Sequence, residues 1–426
     1  MHTEKLINFV KSSPSAFHTV EALSNALIKA GYTELSDGEV KAFSDGGKHF
    51  VIRGGTSLIA FKGKGECGGF MISASHSDFP SFKIKNVITS AGYTKLVVEP
   101  YGGMINYSWL DIPLSVAGRV IVKAENKLTA RLVNIEKPIL TIPSVAIHLN
   151  RAVNEGYKFN PAVDMLPLLT YGDAKEAFWG AVAKSAGVSP DSIISYDLYL
   201  YNACEGKTIG LDGELILSPR LDDLTCVYSA LEAFINAPET DKSVAVLAIF
   251  DNEEVGSLSR QGADSTFLSD TLKCIAGNEE KYRKMLYNSF MVSADNVHAR
   301  HPNHPELADS IDAPVLGGGV TVKYNANRRY VTEAPSDAIF RTLADGAGVK
   351  LQSYSNRPDQ IGGSTLGAIS STQVSITTVD VGIPQLAMHS ATETVASSDV
   401  SDMVKILTEL YSSAISKTIN EVQIIK

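Results

Sequence analysis

With 426 residues, 44% of them hydrophobic and 20% charged, the chain is long enough for two or three domains around a large core. A net charge of −9 argues against nucleic acid or an anionic membrane surface as a partner, while leaving room for an anionic substrate in a local basic pocket. No apolar run approaches the roughly 20 residues that cross a bilayer, and Met1-His2-Thr3-Glu4-Lys5 does not lead into a signal-peptide core, so a cytoplasmic protein is expected.

The hydrophobic spacing predicts helices over residues 3–10 and 17–30, the second ending at Gly31. Short strands are expected at 49–53, 57–62 and 69–75, and the last of them delivers His76-Ser77-Asp78-Phe79-Pro80. From about residue 89 to 205 the texture changes to β-type runs at 93–100, 115–123 and 127–134, with no long amphipathic helix until the 172–184 region. We expect a β-rich module at 89–206, inserted between two parts of an α/β domain at 1–88 and 207–426. The second part should start with a strand at 214–217 that leads into Asp222-Asp223 and a helix bearing Leu224, Val227, Leu231 and Phe234 on one face. Further strands are expected at 244–250, 290–294, 320–324 and 373–380, a helix at 336–344, and a last long helix from about Ser398. Cys67, Cys204, Cys226 and Cys274 form no Cys-x-x-Cys pair and read as reduced, buried thiols.

The chemistry gathers around Asp251-Asn252-Glu253-Glu254-Val255-Gly256-Ser257. Seven apolar residues, Val244 to Phe250, precede it, the habit of a parallel strand buried on both faces. Ligands of open α/β sheets bind just outside the carboxyl ends of the strands. On an extended segment the adjacent Glu253 and Glu254 would point to opposite sides and take different jobs, one on a metal and one on a proton. A lone Glu-Glu pair reads equally well as a solvated acidic turn. Its company changes that reading: His76, Asp222 and Asp295 also follow expected strands, and His389 follows another. Two imidazoles and three carboxylates suit a pair of divalent ions about 3.5–4 Å apart. Mixed nitrogen and oxygen ligands favour Zn²⁺, with Mn²⁺ or Co²⁺ as substitutes. Taken singly, Asp222 could also cap the following helix, although Asp223 suits that duty better, and Asp295 could be a turn residue.

The chain resembles the aspartyl aminopeptidases, a family of cocatalytic dizinc metallopeptidases. The likeness rests on His76-Ser77-Asp78-Phe79-Pro80, Arg220-Leu221-Asp222-Asp223-Leu224, the 251–257 stretch, Ser293-Ala294-Asp295 with His298 and His301-Pro302-Asn303, Val322-Lys323 with Arg329-Tyr330, and Pro384-Gln385-Leu386-Ala387-Met388-His389-Ser390. It implies an α/β/α sandwich catalytic domain interrupted by a β-rich dimerisation or assembly domain. Asp222 would bridge two zinc ions, with His76 and Asp295 completing one site and Glu254 and His389 the other. Glu253 would be the general base, taking a proton from metal-bound water and returning it to the leaving amine. Asp78 would orient the ligands from behind. Phe79 and Asp223 depart from the family's usual residues, the one adding bulk and the other charge.

The same resemblance implies a peptide substrate with an N-terminal Asp or Glu, whose acidic side chain meets Lys323. Tyr330 would line that pocket, and Gly363-Ser364-Thr365 would offer backbone N–H groups to a carboxylate or oxyanion. His148, in Pro143-Ser144-Val145-Ala146-Ile147-His148-Leu149, would enter a neighbouring subunit's active site, within a homo-oligomer built from dimers into a dodecamer. A plain histidine on an apolar strand is the competing reading of His148. His298, His301 and His304 read as loop and pocket-rim residues. Two alternatives stay open: a dizinc aminopeptidase for neutral residues, and a non-catalytic metal-binding assembly scaffold.

Overall fold

A computed structural model describes residues 2–38, 47–63 and 68–426. The expected central strand, Val244–Phe250, is buried at every position. Its side chains alternate between two cores. Ala245, Leu247 and Ile249 join one apolar cluster, while Val244, Val246, Ala248 and Phe250 join another on the opposite face. Helices cover both faces. His2–Ser12, Ala16–Lys29, Leu221–Asn236, Ala334–Ala347 and Ser397–Tyr411 contribute to the first core, and Phe267–Ala276, Glu279–Tyr287 and Leu366–Gln373 to the second. The result is an α/β/α sandwich around a nine-stranded mixed sheet. Phe250 is 1% exposed at the end of the strand that carries the acidic turn. Phe250→Ala should cost about 3–5 kcal/mol in cavity and lost transfer energy, read as a lower denaturation midpoint at unchanged secondary structure.

In that sheet Val244–Phe250 runs parallel to Phe70–His76 and antiparallel to Ser57–Gly63. Phe70–His76 in turn runs parallel to Phe290–Ala294, and that strand parallel to Thr377–Gly382. Four neighbouring strands therefore open their carboxyl ends on one side. His76, the 251–254 turn and Asp295 are carried there by chain direction alone.

A second, six-stranded antiparallel sheet is built from strands lying between Ser81 and Asn202. The strand Ser81–Ser90 belongs to it along its whole length and pairs with Tyr93–Tyr101. The expected division at 88/89 therefore cuts a strand, because the polar residues near 88 mark a hairpin end and not a change of sheet. The sheet has its own core, including Phe82, Leu96, Trp109, Val116 and Leu198.

The strand expected at 214–217 spans Leu215–Ser218 and pairs with Glu393–Ala396 in a separate five-stranded sheet. Other expectations shift. Residue 373 ends a helix, and the strand begins at Thr377, so Gln373 closes one element where the sequence suggested the start of the next. Cys226 is buried, but Cys204 is exposed; Cys67 lies outside the described residues.

Candidate metal centre

His76, 1% exposed, ends its strand with its Nδ1 3.0 Å from the carbonyl oxygen of Asp78. Its Nε2 lies 3.7 Å from Asp222 Oδ1 and 3.8 Å from Asp295 Oδ1. On the other side, His389 Nε2 lies 3.4 Å from Asp222 Oδ2 and 3.3 Å from Glu254 Oε2. The two oxygens of one carboxylate thus face two different imidazoles. Donor atoms converge in two groups, His76 with Asp222, Asp223 and Asp295, and Asp222 with Glu254 and His389. Asp222 is common to both.

The donor set fits divalent cations. Asp222 Oδ1, Asp223 Oδ1 and Glu254 Oε1 are buried and lack a hydrogen-bond partner among the described residues. Buried acids crowded in this way repel one another and are stable as anions only with compensating charge. Burial raises Glu254 far above the carboxylate range, and Asp222 pushes it further. Asp295 goes the other way: burial opposes ionisation, but Lys323 and His76 hold its carboxyl down at about 2.

Glu253 belongs to neither group of donors. Burial pushes its carboxyl up to about 8, against the pull of His76 and with help from Asp295, Asp78 and Asp222. The two glutamates diverge, though not on an extended segment as the sequence suggested. Residues Glu253–Val255 form a single 3-10 turn between Asn252 and Gly256, both left-handed at φ 63° and 96°. A single Asp78 carboxylate pins that turn: its Oδ1 accepts the Glu253 N–H at 3.1 Å and its Oδ2 the Glu254 N–H at 3.2 Å.

All five expected ligands and Glu253 line one cavity of about 540 Å³, together with Lys323, Tyr330, Gly363 and Ser364. Lys323, 2% exposed, donates from Nζ to the Asn296 carbonyl at 2.8 Å and sits 3.4 Å from Asp295 Oδ2. Burial works against its charge, but Asp295 more than offsets this and its pKa is raised, so it stays cationic. Tyr330 lies beneath that ammonium, 5.6 Å from ring centre to Nζ. Gly363 and Ser364 are exposed at the lip, next to Thr365, whose hydroxyl donates to the buried Asp380. His298 also lines the cavity, whereas His301 and His304 line a neighbouring one.

His148 is placed elsewhere. It lies on an exposed turn and does not line the cavity of its own chain, so the competing reading of a histidine on an apolar strand does not hold. Phe79 does not line the cavity either; its ring lies 5.6 Å from the Arg220 guanidinium. Asp223 is no helix cap but a fully buried member of the first group, its Oδ2 accepting the His76 N–H at 3.3 Å. Sequence reasoning missed Glu393. This buried carboxyl accepts the Asp222 N–H at 3.0 Å and the His389 N–H at 2.8 Å, holding both residues at once. An acidic residue four positions after His389, at the start of the short strand Glu393–Ala396, was the available signal.

The Aminopeptidase I zinc metalloprotease (M18) family matches residues 9–411. The chain belongs to the M18 family of zinc aminopeptidases, which are hydrolases. It is 41% identical over 424 residues to a probable M18 family aminopeptidase 2 of Clostridium acetobutylicum, covering 96% of this chain and 98% of that one. Among solved structures, the cryo-EM structure of the Ape4 and Nbr1 complex matches with TM-score 0.92 and 32% identity, over 96% of this chain and 85% of that one. The mApe1 dodecamer of S. cerevesiae matches with TM-score 0.83 and 29% identity, covering 96% of each chain. An M18 sandwich explains why acids so distant in sequence meet at one sheet edge.

Proposed function

We propose that this M18 enzyme holds two zinc ions and removes an N-terminal Asp or Glu from peptides. The observation that carries the reading is Asp222, whose two carboxylate oxygens each face a different imidazole beside a buried cation, Lys323. His76 and Asp295 would hold one ion with Asp222, and Glu254 and His389 the other. When bound, such a pair supplies Lewis acidity toward the scissile carbonyl and makes water a stronger acid. Glu253 is the proton carrier: its carboxylate takes a proton from the attacking water and gives it to the departing amine. Asp78 fixes the direction of that carboxylate through the two N–H groups of the turn. Backbone N–H groups at 363–365, which line the same cavity, would meet the developing oxyanion.

Selection of the side chain falls to Lys323. Its ammonium is desolvated and already balanced by Asp295, and engaging Asp295 with a metal would free it for a substrate carboxylate. Lys323→Met should lower kcat/KM for an N-terminal Asp peptide about 10- to 100-fold, the worth of one charge-assisted hydrogen bond, with Leu-peptide cleavage unchanged. Equal loss on both substrates would show that Lys323 serves Asp295 and not the substrate. The direct test of the reading is release of Asp, Glu and Leu from matched peptides, with metal content measured on the same sample. Fastest release of Leu would support the neutral-residue enzyme instead.

The second sheet is the proposed assembly element, and the mApe1 relative is by name a dodecamer. On the segment at 143–150, Val145 is 54% and Leu149 83% exposed, apolar surface suited to a second copy of the chain. His148 stands between them and would reach the neighbouring cavity. Among the described residues no helix is long and apolar enough to cross a membrane; a cytoplasmic location is part of the proposal.

A further inference from the structure

Behind the acidic turn lies a second cavity of about 370 Å³, lined by Thr56, Asp78, Tyr101, Tyr199, Asp251 and Asn252. Tyr101 links it to Asp78 from the second sheet: it ends the strand Tyr93–Tyr101 and reaches across to the catalytic sandwich. Its hydroxyl donates to Asp78 Oδ2 at 2.7 Å and accepts from Asn252 Nδ2 at 2.8 Å. Asp78 Oδ2 also takes the Glu254 N–H, and Asn252 is the left-handed residue that opens the turn. One phenol therefore holds both ends of the peptide segment from which Glu253 and Glu254 diverge.

The chain beyond Tyr101 keeps it there. Gly102, at φ 75°, passes so close that an added Cβ would stand 3.1 Å from that of Glu254. The Ile105 N–H then donates to the His389 carbonyl at 3.0 Å. A short strap of the second sheet thus lies against Glu254 and His389, two expected ligands of one ion. Tyr199, whose ring meets that of Tyr101 edge-on at 5.7 Å, shares the cavity but makes no hydrogen bond to Asp78.

We propose that Tyr101 is a positioning residue for the general base, fixing the Glu253–Glu254 turn through Asp78 and Asn252. The inference rests on the aminopeptidase mechanism proposed above. Without the hydroxyl, Asp78 Oδ2 loses its shortest donor and Asn252 its only side-chain partner among the described residues. The turn can then rotate, and Glu253 spends less time aimed at the attacking water. A loss of binding is not expected, since Tyr101 lines neither the metal cavity nor its lip.

The test compares wild type, Tyr101→Phe and Tyr199→Phe as zinc-loaded full chains, on whichever of the Asp-, Glu- and Leu-peptides the wild type cleaves best. In Tyr101→Phe, kcat should fall about 10- to 100-fold, the usual loss for an outer partner of a metal site, while KM and zinc content stay put and the denaturation midpoint drops only by the loss of two hydrogen bonds. Tyr199→Phe should behave as wild type. Hydrogen exchange of the peptide spanning 251–257 should quicken in Tyr101→Phe alone, a readout that needs no turnover. If the wild type cleaves none of the peptides but exchange still quickens only in Tyr101→Phe, the positioning role stands and the proposed activity falls. Unchanged kcat and unchanged exchange would overturn the positioning role; so would a parallel fall in kcat, zinc content and midpoint, which marks a merely structural residue.

Discussion

Glu253→Gln should leave both metal groups loaded and reduce kcat by about 10²–10⁴-fold, the span of a general acid–base contribution, toward its upper end because in the proposed mechanism one carboxyl handles two proton transfers. The amide has the same shape, so the turn and the bonds its N–H groups donate to Asp78 survive; only the capacity to take a proton is lost. Glu254→Gln should do the reverse. Its Oε2 stands 3.3 Å from His389 Nε2 within the second donor group, so losing that charge should release an ion first and activity with it. Metal content and kcat measured together on the two variants separate these roles. Full metal loading with near-normal turnover in Glu253→Gln would remove Glu253 from the mechanism, and another proton acceptor would have to be found.

What could be read in advance follows from which forces are local. The run Val244–Phe250 is apolar at every position because both faces of its strand are covered, and that pattern survives in one dimension. Once parallel strands are inferred, the meeting of His76, the 251–254 turn and Asp295 follows from chain direction. Other features depend on contacts between distant elements. Glu393 matters because it faces two N–H groups, one from Asp222 and one from His389, and nothing in its own neighbourhood states this. Tyr101 reads as an ordinary aromatic strand residue until the second sheet is set against the first. The opposed directions of Glu253 and Glu254 were legible, but the 3-10 turn that produces them and the left-handed Asn252 that tightens it were not. For His148 the sequence left two readings open, a residue for a neighbouring subunit and a histidine on an apolar strand; the exposed turn at 147–149 removes only the strand.

Asp222→Asn is the substitution that should reach both ions, because the same side chain enters both donor groups. Outer partners of metal sites cost about 10- to 100-fold in affinity when removed, so losing a shared inner carboxylate should cost more than that, and activity should fall below detection at limiting zinc. The stability consequence depends on zinc. In the metal-free protein, Asp222 is a 3%-exposed carboxylate among Glu254, Asp223 and Asp295, its charge raises both Glu254 and Glu393, and it also faces His76 and His389. Neutralising it removes repulsion from the acids together with attraction to the imidazoles, so the metal-free variant should melt near the metal-free wild type. In excess zinc the two should separate: the wild type gains about 4 kcal/mol at a thousandfold excess over Kd, and the variant gains little. Thermal melts with and without zinc, alongside metal analysis, read both conditions in one experiment. Two ions retained in Asp222→Asn with unchanged zinc stabilisation would mean that the carboxylate is not shared, and the two donor groups would have to be treated as independent sites.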